Sequence, residues 1–409
     1  MFPYGKEFEK MKKKTFSVCL MALVLFFLIT PEARGDVDLF GYYEAQVMGA
    51  KVKDRFCQLF ANKLRVDFKA DLSSSVYFAA NFDYITYHGK KQWNILDFLS
   101  SDITSKIPDA LKSLYVIPFS DRNFLDNAYM KLSFKLFDLT LGKQQISLGT
   151  GYVWNPVDVF NIKDILDPTY EQPGHNALRA DVPIGLGSTL TALYSPGDEW
   201  KRSAKLLQFK TRISRFDFAV TGIEKTWVFH DYTVFDLAQM NFQELPEKRR
   251  LLGVSTAGEL LGLGVWAEYA YNWMEETDDF CELAAGADYT FDFQTYFLIE
   301  YFRNTLGKSD YRDYTLNDWM RSFAQEQKAV SRDQVYFLIQ HPATDLMTVG
   351  MSAICSLSDH SLALVPTVMY SFSQNVDIYA YLNWNTGKEG TYFANTMGNG
   401  GFIRVRVYF

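Results

Sequence analysis

Two sets of ionisable residues in this 409-residue chain alternate with apolar neighbours. The basic set is Lys63, Arg65, Lys69, Lys131, Lys135, Arg179, Lys210, Arg212, Arg404 and Arg406. The acidic set is Glu268, Glu282, Asp288, Glu300 and Asp377. Groups kept ionised at such density need water or each other. Their chemistry is electrostatic: a wet lining whose field attracts and orients polar or charged solutes. The alternative is that each charge pairs with a close neighbour, as Arg179 could with Asp181.

Alternation at period two is the signature of strands, with one face apolar and the other polar. In one segment Leu64, Val66, Phe68 and Ala70 interleave with Lys63, Arg65, Asp67 and Lys69. In another, Val376, Ile378, Ala380, Leu382 and Trp384 interleave with Asp377, Tyr379, Tyr381, Asn383 and Asn385. The final residues repeat the pattern, with Ile403, Val405, Val407 and Phe409 against Arg404, Arg406 and Tyr408. Candidate strands run over 38–47, 59–71, 76–87, 126–136, 139–148, 176–183, 188–195, 204–213 and 216–229. The second half gives 249–257, 262–273, 281–291, 294–302, 334–341, 346–355, 361–372, 376–385 and 401–409.

These are about 18 strands, with 16 within reach of the boundary errors. Their connections alternate long and short, as they do in outer-membrane β-barrels, where long extracellular loops alternate with tight periplasmic turns. The fold expected is an all-β, transmembrane antiparallel barrel. Its apolar faces would meet lipid, where a charge near the midplane costs roughly 2–4 kcal/mol. The charged faces would then line the interior. The basic set comes mostly from the first eight strands and the last one, which meet at the barrel seam. They would form a basic wall facing carboxylates from the later strands.

The ends of the chain agree with this reading. Lys12, Lys13 and Lys14 precede an apolar run over 16–29, and Ala33 and Gly35 precede a cleavage point before Asp36. Residues 1–35 are expected to be a secretory signal that is removed, leaving 36–409 as a single barrel domain. Cys19 lies inside the apolar run, which argues against a lipoprotein. The aromatic content of 16% suits two interfacial girdles. A net charge of −7 argues against nucleic acid as a partner. Beyond the signal, Cys57, Cys281 and Cys355 are an odd set, best read as unpaired thiols although one pair is possible.

The loop 149–174 is the most distinctive connection, dense in Gly, Pro, Asn and Asp, which fix turns. It is expected to be ordered, either folded inward across the pore or held in place without touching solute. The loop 88–124 carries apolar residues at helical spacing over 94–99 and 109–116, which fits a partial plug or a surface flap. The acidic run 275–279 lacks the spacing of a calcium loop and reads as a solvated hairpin. The five histidines, His88, His175, His230, His341 and His360, form no recognisable catalytic or zinc spacing. No enzyme activity, metal or cofactor is expected.

The residues Trp154, Asn155, Pro156, Asp158, Phe160, Asn161, Asp167 and Pro168, with Gly174, Pro183 and Gly185, give the pattern in which this chain resembles porin-like Gram-negative outer-membrane proteins. The resemblance covers about a tenth of the chain as a motif. It implies an outer-membrane channel, with Phe409 read by the barrel-assembly machinery and a homotrimer as one assembly. The function expected is passive diffusion of small polar or charged solutes, the barrel bounded by lipid and lipopolysaccharide. The alternative is a non-conducting structural or surface-attachment barrel that acts through its extracellular loops.

Overall fold

The computed structural model describes residues 36–409 except 53–54, 165–166 and 168–170. The expected signal segment 1–35 and the motif residue Pro168 lie outside the described residues. Strands β1 (Val37–Val52), β2 (Arg55–Ser73) and β3 (Val76–Gly89) open the barrel. A two-stranded ribbon, β4 (Gln92–Asn94) with β5 (Val116–Pro118), stands in the first long loop. The wall continues with β6 (Arg122–Ser133), β7 (Asp138–Gln144), β8 (His175–Ile184), β9 (Ser188–Ser195) and β10 (Ala204–Ile213). Next come β11 (Phe216–Asp236), β12 (Asn241–Leu260), β13 (Leu263–Met274), β14 (Phe280–Thr290) and β15 (Tyr296–Asn304). The last five are β16 (Asp333–Thr344), β17 (Met347–Ser356), β18 (Ser361–Ser373), β19 (Val376–Asn385) and β20 (Asn399–Tyr408).

Apart from the ribbon, these form one 18-stranded antiparallel sheet. Each wall strand pairs with its neighbours in the wall, and β20 pairs with β1 to close the barrel. Closure leaves no open edge, so each wall strand pairs on both sides, with register breaks such as that between Asp231 and Phe235. At the seam, Phe409 and Gly41 exchange backbone hydrogen bonds at 3.0 and 3.1 Å. Gly41 has no space for a side chain, because a Cβ there would collide with the Arg65 carbonyl oxygen. No helix among the described residues is long and apolar enough to cross a membrane.

One end of the barrel is made of tight turns. Between β12 and β13 a two-residue turn places Leu261 (φ 54°) and Gly262 (φ 82°) both in the left-handed region, the geometry that matches strand twist in a hairpin. Aromatic pairs collect at this rim: Phe134 with Phe137, Phe216 with Phe218, Tyr289 with Phe291, and Tyr370 with Phe372. Outward-facing Ile403, Val407 and Phe409 are exposed at the end of the chain, as are Val220, Leu252 and Val254 on β11 and β12. An exterior of this kind has no soluble-protein rationale but suits hydrocarbon with an interfacial girdle.

The opposite end carries the long loops, and they fold over the opening. Ile95, Leu96, Leu99, Ile107 and Tyr115 from the 90–121 loop meet Tyr314, Trp319, Met320 and Val330 from the 305–332 loop. Tyr232 and Phe242, near the top of the β11–β12 hairpin, complete the cluster. The segments expected to be helical adopt short 3-10 turns at Ile95–Asp97 and Asp109–Tyr115, with an α-helix, α1 (Ser101–Thr104), between them. A second helix, α2 (Leu316–Phe323), starts at a Thr315/Asp318 capping box. The residues 230–248, expected as a loop, are instead mostly strand. Their apolar side chains pack on the loop cluster, so the hairpin extends well past the roughly 9–11 residues that span a bilayer.

Candidate functional site

The described first part of the connection from β7 to β8 runs inside the barrel. It turns inward at residue 145, where β7 ends earlier than the alternation suggested, and crosses the interior. Ile146, Leu148 and Val157 pack on Leu193, Leu206, Ile223, Leu251 and Ala270 of the β9–β13 wall. Val153 and Trp154 pack on Ala284, Leu298, Phe302 and Tyr336 of β14–β16. Trp154 lies parallel to Phe302, with ring centroids 5.1 Å apart and planes 8° apart. The motif residues Trp154, Asn155, Pro156, Asp158 and Asn161 are buried, and Phe160 is half-buried with its ring edge-on to His175.

Two carboxylates from the facing wall hold this strap by its backbone. Glu268 (β13) accepts from the N–H groups of Thr150, Gly151 at 2.6 Å and Val157 at 3.4 Å. Glu300 (β15) accepts from Tyr152 at 2.6 Å, Val153 at 2.9 Å, Trp154 at 2.8 Å and the Trp266 indole at 2.6 Å. Glu268 is 1% exposed and Glu300 0%. A buried carboxylate needs several donors to stay charged, and consecutive loop N–H groups supply them. Gly149 (φ +89°) begins the turn, and a Cβ there would sit 2.5 Å from a Glu268 oxygen. Inside the strap, Asp158 accepts from the N–H groups of Phe160 at 2.8 Å and Asn161 at 3.0 Å, a local Asx turn. Lys225 and Lys328 donate to strap carbonyls at Val159, Asn155 and Pro156. Glu282 (β14) takes Lys328 Nζ at 2.8 Å and lies 3.6 Å from Arg249.

The other side of the lumen carries a compact ladder of ion pairs. On β2, Lys63 and Arg65 face Asp83 of β3 and Glu171 of the strap's return path. Arg65 lies 3.0 Å from Asp67 and 3.4 Å from Asp126. On β20, Arg404 lies 2.7 Å from Asp167 and 3.2 Å from Glu44, and Arg406 lies 2.7 Å from Glu44. Burial works against charge on Glu171, yet Lys63, with help from Tyr42 and Arg65, holds its carboxyl below the usual carboxylate range. The cations are therefore interleaved with Glu44, Asp67, Asp83, Asp126, Asp167 and Glu171. Alternation would have placed Glu44 on the inner face of β1, since it shares a face with Tyr42 and Gln46 and pairs with Arg406 across the seam.

The remaining predicted positions lie toward the turn end. Lys69 stands 4.7 Å from the centre of the Phe40 ring. Lys131 pairs with Asp138 at 2.8 Å and Arg179 with Asp181 at 2.8 Å. Arg212 pairs with Asp217 at 2.6 Å, and Lys210 is exposed on β10. Lys135 is not on a strand: β6 ends at Ser133, and Lys135 sits in the exposed turn to β7. Asp288 accepts from Tyr296 at 2.8 Å, and Asp377 from Ser371 at 2.9 Å. The acidic hairpin 275–279 bends over Glu247, which accepts from the N–H groups of Glu276 and Thr277, both at 2.7 Å. Cys57, Cys281 and Cys355 are all free thiols.

Among known proteins, no family model and no curated protein matches the chain. Among solved structures it is similar to a loop-L8 deletion mutant of OmpT, an outer membrane protein of Vibrio cholerae. That match has 12% identity over 92% of this chain and 99% of that chain, with a TM-score of 0.46. It is also similar to a triple mutant of the Rhodopseudomonas blastica porin, at 13% identity over 91% of this chain and 100% of that chain, TM-score 0.46. The barrel assignment itself rests on the closed strand pairing described above.

Proposed function

We propose that the chain is a porin-like channel of the Gram-negative outer membrane for passive diffusion of small polar or charged solutes. The observation that carries this reading is the ion-pair ladder on β1–β3, β6 and β20. It stands inside a closed barrel opposite a strap that narrows the lumen, its charges held by one another. In this reading residues 1–35 are the removed signal, lipid and lipopolysaccharide bound the exterior, and the assembly machinery reads Phe409. The protein works as a channel, not an enzyme, and a homotrimer is one assembly it could use. The basic residues of the ladder and the lower lumen would bias which solutes pass.

The apolar cap over the loop end favours a second reading, a non-conducting barrel that acts at the cell surface. Liposome swelling separates the two. Vesicles carrying the purified protein should swell in iso-osmotic small sugars, amino acids and organic acids, at rates falling with solute size. No swelling with any of the three classes would favour the non-conducting barrel.

A further inference from the structure

Between the strap, the capping loops and the wall formed by β1, β2 and β17–β20 lies a cavity of about 640 Å³. Its lining is mostly aromatic and aliphatic, with Trp93, Phe98, Phe119, Phe323, Tyr392 and Phe402 among the rings. A lumen shaped only for water and ions has no need of such a surface, because wetting apolar rings is unfavourable. The size lies within the range of cavities that bury a whole organic molecule.

Three charged side chains border this apolar space, Lys163, Asp164 and Lys328; the Lys328 ammonium is taken up by the Asn155 and Pro156 carbonyls and Glu282. Lys163, on the strap, lines the cavity. Its Nζ donates to the carbonyls of Gly151 and Tyr152, both at 2.9 Å, which leaves a third N–H. Nearby Glu268, Glu300 and Asp158 are already engaged by the strap's backbone N–H groups. A half-buried ammonium held by neutral carbonyls, at the edge of an apolar chamber, suits an anionic head group attached to an apolar body. The chamber also adjoins the ladder: Phe402 lines it, and the Arg404 guanidinium lies 4.7 Å from the centre of that ring.

We propose that this cavity binds an amphipathic organic monoanion, with its aromatic or aliphatic body among the rings and its acid group on Lys163. The proposal does not require conduction, because binding is read on solubilised protein and a failure to conduct would leave it standing. The probes are 2-naphthoate and its uncharged analogue 2-naphthalenemethanol, titrated calorimetrically into the purified full-length barrel in detergent, with protein-free micelles as the blank.

2-Naphthoate is expected to bind. Lys163→Met should weaken it by roughly tenfold or more, the loss expected for a hydrogen bond to a charged group. The same substitution should leave 2-naphthalenemethanol unchanged, and Lys163→Arg should restore the anion. Val365→Trp, which fills the chamber from β18, should abolish both ligands while the barrel keeps its heat-dependent gel mobility. Absence of 2-naphthoate binding to the unaltered protein would overturn the proposal. So would equal binding in Lys163→Met, or full binding in a folded Val365→Trp protein.

Discussion

Replacing Glu268 and Glu300 together with alanine is expected to free the strap and raise single-channel conductance severalfold, while the barrel itself still assembles. The two carboxylates receive the backbone N–H groups of Thr150, Gly151, Val157, Tyr152, Val153 and Trp154. Hydrogen bonds to a charged partner are worth about 1.5–3 kcal/mol each. Losing the set outweighs the increment of about 0.5–1.5 kcal/mol that the Trp154–Phe302 stack adds beyond area burial. Val153 and Trp154 keep apolar contacts with β14–β16, and Ile146, Leu148 and Val157 keep theirs with β9–β13, so the Thr150–Tyr152 backbone between them should loosen first. The wall strands β13 and β15 keep their ladders to β12, β14 and β16, which is why assembly should survive. Glu268→Gln with Glu300→Gln keeps one acceptor oxygen at each site and should fall between the two. Recordings in planar bilayers test this. Unchanged conductance in a folded double-alanine variant would mean that the strap does not limit the passage.

The second large effect concerns ion selectivity. Changing Arg65, Arg404 and Arg406 to alanine should move the reversal potential in a potassium chloride gradient toward potassium. The reason lies in the partners left behind. Glu44, Asp67, Asp83, Asp126, Asp167 and Glu171 would keep their charges with only Lys63 close by, so the local field becomes strongly negative. The unaltered ladder sets four cations against six carboxylates and the triple variant leaves one cation against the same six, so the negative field grows sharply. The shift should shrink at high salt, where the Debye length falls to about 3 Å at 1 M. A reversal potential that does not move would place the ladder away from the narrowest passage.

The strand plan is legible because alternation and loop length are local properties. Each of the wall strands expected from the sequence is present, and the boundaries that differ do so for tertiary reasons. The hairpin of β11 and β12 is longer because Tyr232 and Phe242 find partners in the loops, and β7 is shorter because Ile146 and Leu148 turn into the lumen. Helix α2 announces itself through Thr315 and Asp318, a capping-box spacing visible in the residues alone. What local pattern could not give was the destination of the interior carboxylates. Glu268 and Glu300 look like lining residues on their strands, yet a distant loop consumes their oxygens. The carboxylates that neutralise Arg65 and Arg404 come from four strands and the strap, brought together only by closure of the barrel.

The central claim is that solutes cross this barrel through its charged lumen, and the most direct test is conductance of the purified protein in planar bilayers. Stepwise openings of reproducible size, with a conductance that grows with salt and shifts in selectivity when Arg65, Arg404 and Arg406 are replaced, are the predicted result. Folded, bilayer-inserted protein that gives no openings at any voltage would contradict it and leave the capped barrel as a surface structure.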